Sequence, residues 1–222
     1  DVSRADMDAW AATSQTRAVA ARDAGFFARE ITPIDLPDGG QMVHDECPRA
    51  GTTIEKLAGL RTVFREDGRV TAGNACPLND GAAAMVVMAS DRAAQLGIEG
   101  RARIIATAVT ALDPALMGMG PVEATRAVLK RAKMTMDDVD LVELNEAFAA
   151  QVVPCMRHLA IPPEKLNAHG GAIALGHPFG MTGVRLVTTL LNGLESTDGS
   201  VGLATLCVGG GQGMALLIER LG

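Results

Sequence analysis

Aromatic residues and long apolar runs are both scarce in this sequence. Only 3% of its 222 residues are aromatic, whereas 48% are hydrophobic and 25 are glycine. This composition predicts a core of closely packed alanine, valine and leucine side chains, and a chain of this length can bury one. No apolar run reaches the roughly 20 residues that span a bilayer. We therefore expect a soluble protein with no membrane partner.

The cysteines and the charge balance exclude further classes of function. No two of the four cysteines form a Cys-x-x-Cys pair, and no histidine pair has zinc-finger spacing, so no metal site is expected. The chain opens at Asp1 with no secretory signal pattern, which favours reduced thiols and a cytoplasmic location. The formal net charge of -6 argues against nucleic acid as a partner.

The most distinctive stretch, HGGAIALGHPFGMTG from His169 to Gly183, leads directly into an apolar helix. Its five glycines indicate close backbone approach or positive φ angles. His177, followed by Pro178, has few conformations open to it. Taken alone, this pattern fits a helix-entry loop whose histidine bonds to backbone as well as it fits a catalytic histidine.

Two further segments place polar groups beside apolar runs. NEAFAAQ, from Asn145 to Gln151, follows the apolar run LVEL, so its polar residues stand at the carboxyl end of a predicted buried strand. CVGGGQG, from Cys207 to Gly213, lies between two apolar runs and puts a thiol beside backbone that carries no side chains. Both positions are typical of binding or catalytic residues in α/β folds.

Together with TAGNACPLNDGAAA, from Thr71 to Ala84, these segments resemble in order and spacing the thiolase family, acyltransferases that make or break 3-ketoacyl-CoA. The resemblance runs the length of the chain but covers only the later part of a thiolase. It implies an α/β thiolase fold with α-β-α-β-α layers. On this basis residues 1–69 are a remnant of the loop domain, residues 70–100 are the last elements of the N-terminal domain, and residues 101–222 are the C-terminal domain.

Periodicity and breakers predict the individual elements. A helix begins at Ser3 and ends near Gly25, and residues 31–69 are irregular. The run GAAAMVVMAS after Asp80 reads as a buried strand. Strands are also predicted for ARIIATAVTA and VDLVELN, and helices after Pro121 and over EAFAAQVVPCMRHLA. A further helix is predicted to run to about Leu194. Two antiparallel strands joined by GGGQG end the chain.

The resemblance implies a role for each catalytic candidate. Cys207 is the acid/base for the α-carbon, since a thiol with an ordinary pKa of about 8.5 can exchange a proton near neutral pH. His177 would activate a nucleophilic cysteine and bind the thioester oxygen, and Asn145 would hold a water in the same oxyanion hole. The backbone N–H of Gly209 would serve a second oxyanion hole.

Coenzyme A is expected as a substrate, with no permanently bound cofactor. The resemblance implies that its contacts are Arg49, Phe64, Ala72, Cys76, Met117 and Phe148. Residue by residue, Arg49 also fits a solvated surface cation, and a loop methionine also fits a gap filler. Cys155 and His158, on the later turns of a predicted helix, are interpreted as structural.

One part of thiolase chemistry is missing from this sequence. Thiolases carry the acyl group on a cysteine in their first half, and none of the four cysteines here lies in that motif. We therefore expect the chain alone to be inactive and to need the N-terminal half, or another polypeptide, for the nucleophile. Acyl-CoA and CoA are the expected partners, with the protein forming a homodimer or homotetramer.

Three functions remain open. The leading one is degradative thiolysis of 3-ketoacyl-CoA, with long, bulky or steroid acyl chains as substrates. The second is biosynthetic formation of acetoacetyl-CoA. The third is non-catalytic binding of acyl-CoA or lipid on a thiolase fold.

Overall fold

A computed structural model describes all 222 residues, and the chain folds into two compact units. The first unit comprises Asp1–Asn79, Glu146–Pro154 and Asn167–His177. The second unit comprises Asp80–Asn145, Cys155–Leu166 and Pro178–Gly222. Each unit is therefore assembled from three separate stretches of the chain, and the boundaries fall beside Asn145 and His177.

The first unit is built on helix α1, Arg4–Asp23. The Ser3 hydroxyl accepts a hydrogen bond from the Asp6 N–H at 3.0 Å, which caps the helix as the sequence predicts. One face of α1 is buried, and it is unusually polar for a core face because it includes Asp8, Ser14 and Gln15. These side chains hydrogen-bond to other segments of the unit, so α1 contributes buried polar contacts as well as apolar packing.

The remaining elements of the first unit are short. A two-residue hairpin pairs β1, Ile34–Asp35, with β2, Gln41–Met42, in antiparallel register, and helix α2 covers Ile54–Ala58. Helix α6, Ala172–Leu175, is fully buried and packs with α1 and Phe27 in a small apolar cluster. The irregular stretch predicted for residues 31–69 is confirmed, since its regular elements are only two to five residues long.

The second unit contains a four-stranded mixed sheet. Its strands are β3, Ala102–Ala111, β4, Leu141–Leu144, β5, Val201–Val208, and β6, Gln212–Arg220, in the order β3-β6-β5-β4. β6 is antiparallel to β5, as the short GGGQG connection predicts, and also antiparallel to β3, whereas β4 is parallel to β5. The parallel pair matters for function because both strands end at the same edge of the sheet.

Helices cover this sheet. Helix α7, Thr182–Thr197, presents Leu186, Leu190 and Leu194 at four-residue intervals, and these leucines pack on Ala204 and Ile218. Helix α4, Gly120–Ala132, is the helix predicted after Pro121, and its buried side includes Val122, Thr125 and Val128. The other helices with residues in this unit are α3, Ser90–Gln95, and the last turns of α5, Ala149–Leu159, together with 3-10 turns at Pro114–Met119 and Met136–Asp138.

The strand predicted for the apolar run after Asp80 is wrong. Residues 77–89 have no regular secondary structure, and residues 81–89 are all exposed, with Val86 at 83%. An apolar run forms a strand only where its backbone finds hydrogen-bonding partners. This run pairs with no other strand of the chain, so its apolar side chains stay in solvent.

Candidate functional site

Asn145 and Cys207 lie at the carboxyl ends of the two parallel strands of the second unit, Asn145 directly after β4 and Cys207 as the last residue but one of β5. Leu144 pairs with Thr205, and the Asn145 N–H donates to the Thr205 carbonyl at 3.0 Å. Cys207 lies two residues beyond Thr205 on β5. Polar residues at the carboxyl ends of adjacent parallel strands are where α/β folds usually place chemistry. The strand register thus brings these two predicted site residues to one edge of the sheet.

Both residues are buried. Asn145 has no exposed surface, and Cys207 is 6% exposed. Burial raises the pKa of the Cys207 thiol above its ordinary value, and a hydrogen bond with its own backbone lowers the pKa only in part. Cys207 is therefore protonated at neutral pH and is set up to donate a proton, whereas acting as a base requires a higher pH or a nearby positive charge.

Gly209 starts the tight turn between β5 and β6. It is exposed, and a Cβ placed on it would meet no atom within 4 Å. The turn continues through Gly210 and Gly211, and the Gln212 side chain donates to the Gly209 carbonyl at 3.4 Å. The backbone beside Cys207 is thus open on the side where a side chain would otherwise project, as the sequence predicts for a ligand-facing segment.

His177 belongs to the first unit, where its backbone is fixed by Asn79. The His177 N–H donates to Asn79 Oδ1 at 3.0 Å. The preceding residue, Gly176, has φ 95°, and a Cβ there would lie 2.5 Å from the Asn79 amide group. Glycine is therefore required both by conformation and by space. No local sequence pattern reveals this contact, because Asn79 and His177 are 98 residues apart in the chain.

Glu146, directly after Asn145, is a second residue that sequence reasoning missed. It is fully buried, and each carboxylate oxygen accepts two hydrogen bonds. Oε1 accepts from Trp10 Nε1 at 3.0 Å and from Asn167 Nδ2 at 2.8 Å. Oε2 accepts from Ser14 Oγ at 2.6 Å and from the Ile173 N–H at 3.1 Å. Only the position of Glu146 in NEAFAAQ hinted at a role, because its partners are far away in sequence.

Four of the predicted coenzyme A contacts belong to one region of the first unit. Phe64 and Phe148 pack edge to face with ring centroids 6.1 Å apart, and Phe64 is 71% exposed. The strip from Ala72 to Cys76 runs beside Phe148, with the Cys76 N–H donating to the Ala147 carbonyl at 3.1 Å. An exposed aromatic edge beside backbone is suited to a long, partly apolar ligand.

This strip is held in place by α1. The Asn74 side chain caps the turn at Thr71, accepting from its N–H at 2.9 Å, and donates to buried Asp8 at 2.9 Å. Asp8 in turn is paired with Arg4 at 2.7 Å. A cavity of about 380 Å³ lies next to Phe64 and is lined by apolar side chains together with Arg65 and Arg69.

The other two predicted contacts lie elsewhere in the chain. Arg49 is exposed, and its backbone N–H donates to Gln15 Oε1 at 2.8 Å. Met117 belongs to the second unit, half-buried on the 3-10 turn Pro114–Met119. Cys155 is fully buried, with its thiol 3.4 Å from the Gly118 carbonyl, in keeping with the structural role expected for it.

A buried ion pair lies two residues before Asn145. Arg185 of α7 contacts Glu143 of β4 at 2.8 Å, with side-chain exposures of 11% and 4%. The second guanidinium nitrogen of Arg185 is buried without a hydrogen-bond partner, so Glu143 is the charge that compensates this arginine. The pair joins α7 to the strand that carries Asn145, and nothing in the sequence pattern identified it.

The structure has no group of three or more histidine, cysteine, aspartate or glutamate side chains that could hold a metal ion. None of its helices combines the length and apolar character that crossing a membrane requires.

Comparison with known proteins places this geometry in a family. Residues 1–91 match the family model described as thiolase, N-terminal domain, and residues 98–220 match thiolase, C-terminal domain. The chain is 51% identical over 225 residues to the "Beta-ketoadipyl-CoA thiolase" of Pseudomonas aeruginosa, a match that covers 99% of this chain and 56% of that relative.

Solved structures agree. The Bacillus anthracis acetyl-CoA acetyltransferase superposes with a TM-score of 0.96 at 43% identity, covering 99% of this chain and 57% of that one. Human mitochondrial 3-ketoacyl-CoA thiolase in complex with CoA superposes with a TM-score of 0.91 at 40% identity, and the match covers 99% of this chain and 55% of that one. The chain thus spans just over half the length of these relatives and has the fold of the matching part. It belongs to the thiolase family.

Proposed function

We propose that this chain supplies the acid/base and oxyanion-binding groups of a thiolase that cleaves 3-ketoacyl-CoA to acetyl-CoA and a shortened acyl-CoA, or runs the reverse condensation. The observation that carries the proposal is the placement of Asn145 and Cys207 at the ends of adjacent parallel strands, with the thiol buried and protonated. Membership of the thiolase family supports it.

Proton transfer at the α-carbon is the step assigned to Cys207. In thiolysis, attack at the 3-keto carbon breaks the bond to the α-carbon and releases the enolate of acetyl-CoA. The Cys207 thiol protonates that α-carbon, and the resulting thiolate recovers a proton from the thiol of the incoming CoA. In condensation the same thiolate removes the α-proton of acetyl-CoA. The raised pKa of Cys207 favours the donating direction.

The developing negative charge falls on carbonyl oxygens. His177 and Asn145 are proposed to stabilise the thioester oxygen of the enolate, and the Gly209 N–H the oxygen of the acyl group. Loss of one such donor typically lowers the rate by about 10²–10³-fold. The acyl group itself would be carried by a nucleophilic cysteine that is none of the four in this chain, and so must come from further residues or another polypeptide.

Coenzyme A is proposed to lie along the Ala72–Cys76 strip and the Phe64–Phe148 pair, with Arg49 toward its phosphates and Met117 toward the acyl chain. The exposed edge of Phe64 supports this assignment, and a solved relative is described in complex with CoA. The cation and the aromatic faces suit a ligand that is anionic at one end and largely apolar along its arm.

The degradative direction is the one we propose, with long, bulky or steroid acyl chains as candidates. Relatives named for β-ketoadipyl-CoA and 3-ketoacyl-CoA thiolysis support degradation, and Phe179, 79% exposed in the loop after His177, supports a large substrate. We further propose that a homo-oligomer, or the remaining half of a thiolase, covers the exposed apolar run at residues 81–89.

The test is CoA-dependent cleavage of acetoacetyl-CoA by the wild type and by Cys207→Ser, each supplied with an N-terminal thiolase half that carries the nucleophilic cysteine. We expect kcat to fall about 10²–10⁴-fold in Cys207→Ser, because serine is too weak an acid to replace the thiol. Cys155→Ser is the matched control, since that thiol is also buried in the second unit but has no assigned part in the reaction. Equal activity of the wild type and Cys207→Ser would refute the assignment.

CoA binding measured on the same samples separates the alternative. Tight CoA binding with no turnover by any preparation, including one supplied with an N-terminal thiolase half, would favour a non-catalytic acyl-CoA-binding protein.

A further inference from the structure

The backbone from Gly171 to Ile173 is fixed by the Glu146 carboxylate and by α1. Ile173 donates its N–H to Glu146 Oε2 directly. Gly171 donates its N–H to Ser14 Oγ at 3.1 Å, and that hydroxyl donates to the same carboxylate oxygen. Two backbone donors of this segment therefore depend on one buried carboxylate oxygen, one directly and one through Ser14.

Gln15 fixes the same segment from its other side. Its side-chain N–H donates to the Ile173 carbonyl at 3.2 Å. Three backbone groups of residues 171–173 are therefore bound by side chains: one by Ser14, one by Gln15 and one by Glu146. Ser14 and Gln15 thus fix the backbone of Gly171–Ile173 through hydrogen bonds that span 157 and 158 residues of the chain.

Close packing adds to these bonds. A Cβ on Gly171 would lie 2.2 Å from the Glu146 carboxyl carbon, and one on Gly170 would lie 2.6 Å from Ala18. No side chain separates the carboxylate from the loop backbone. Movement of the loop toward Glu146 or α1 is therefore blocked, and movement away breaks hydrogen bonds to a buried charge.

The fixed segment leads to His177 in four residues. Helix α6 begins at Ala172 and is buried throughout, Gly176 turns the chain, and the His177 N–H reaches Asn79. The backbone is thus fixed at both ends of this short segment, at Ile173 by the Glu146 carboxylate and at His177 by Asn79. Between Ile173 and His177 the chain consists of the last two residues of α6 and of Gly176, whose space is limited by the Asn79 side chain.

We propose that Glu146 is a positioning residue for His177: its carboxylate fixes Gly171–Ile173 on α1 and so determines where the histidine stands. The catalytic part of this inference rests on the proposed function, in which His177 binds the thioester oxygen. The carboxylate itself touches neither substrate nor CoA in this assignment.

A carboxylate is needed because four donors converge on the residue. An ionised carboxylate accepts at both oxygens, whereas the amide of glutamine accepts at one and directs two N–H groups outward. In Glu146→Gln, either Trp10 and Asn167 or Ser14 and Ile173 would face an N–H group instead of an acceptor. The variant has nearly the same volume, so it tests the hydrogen bonds rather than the packing.

The experiment combines hydrogen–deuterium exchange of the purified protein with steady-state kinetics of the protein supplied with an N-terminal thiolase half. In Glu146→Gln we expect the amides of residues 171–177 to exchange about tenfold faster or more, while those of α7 keep their protection. We also expect kcat to fall about tenfold or more with KM changed less than about twofold, since a displaced His177 weakens the transition state more than CoA binding. The single tryptophan, Trp10, should report the altered carboxyl group by a change in fluorescence.

Glu123→Gln is the matched control, because it is the same chemical change at an exposed ion pair with Arg126 on α4. It should match the wild type in exchange and kinetics. If Glu146→Gln does not fold, Ser14→Ala replaces it, since it removes the bridge to Gly171 alone and should give the same faster exchange and lower kcat.

Two results would overturn the inference: unchanged exchange over residues 171–177, or a loss of kcat no larger than the loss of folded protein. A wild type that is inactive even with an N-terminal half supplied refutes the proposed function instead. In that case the exchange measurement alone decides whether Glu146 positions the His177 segment.

Discussion

Substituting Gly171 by alanine is the sharpest test of the packing around Glu146. The new methyl group would lie 2.2 Å from the Glu146 carboxyl carbon and 2.5 and 2.6 Å from its oxygens. Carbon atoms in contact are normally about 3.5–4.0 Å apart, so one of the two groups must move by more than about 1 Å. The carboxylate cannot move that far without losing hydrogen bonds, because donors surround it.

The expected cost follows from those bonds. Loss of two hydrogen bonds to a charged group costs about 3–6 kcal/mol, at about 1.5–3 kcal/mol each. Gly171 has φ -134° and ψ -162°, an extended conformation that alanine adopts freely. Alanine also stabilises the protein by about 0.4–1 kcal/mol, because it reduces the conformational entropy of the unfolded chain. The free energy of unfolding should therefore fall by about 2–6 kcal/mol.

Urea denaturation followed by circular dichroism and by Trp10 fluorescence measures this change. Gly183→Ala is the control, since Gly183 lies in the first turn of α7 and a methyl group added there would meet no atom within 4 Å. That variant should be stabilised by about 0.5–1 kcal/mol through helix propensity. A Gly171→Ala protein within about 0.5 kcal/mol of the wild type would refute the packing described around Glu146.

Two further predictions concern the second unit. Because burial raises the pKa of Cys207 in the folded protein, the unfolded state loses this proton at a lower pH than the native state does. The free energy of unfolding should therefore fall as the pH rises above about 9. Cys207→Ser should make this decline shallower when denaturation is measured from about pH 8 to about pH 11. Glu143→Gln should lower the free energy of unfolding by about 3–5 kcal/mol by leaving Arg185 buried and uncompensated. Adding Arg185→Met to that variant should recover most of the loss, and a single variant as stable as the wild type would contradict the assigned ion pair.

Much of the fold could be predicted because its signals are local. Helix α1 has a capping serine and a regular buried face, and α7 has leucines at four-residue intervals. Two apolar runs around a glycine turn predict the β5–β6 hairpin. In each case the residues that determine the element lie next to one another in the sequence.

The strand predicted after Asp80 failed because its pairing is not local. An apolar run indicates a buried strand only when another strand is available beside it, and here none is. Composition contains no information on that point. The segment is exposed although it consists largely of alanine, valine and methionine.

The site was predicted only in part for the same reason. Motif resemblance predicted Asn145, His177 and Cys207 as site residues, and the parallel register of β4 and β5 explains why Asn145 and Cys207 share an edge. Glu146 and Asn79, which accept hydrogen bonds from the backbone of Ile173 and His177, were not among the predicted residues. Their partners lie up to 136 residues away in the chain, and no spacing rule connects them.

The most direct test of the proposed chemistry is exchange of the α-protons of acetyl-CoA with solvent. The purified protein is incubated with acetyl-CoA in deuterated water, and deuterium in the methyl group is measured by mass spectrometry for the wild type, Cys207→Ser and Cys155→Ser. If Cys207 transfers the α-proton, the wild type and Cys155→Ser incorporate deuterium and Cys207→Ser does so about 10²-fold more slowly or worse. Equal incorporation in all three proteins would contradict the assignment of Cys207 as the acid/base.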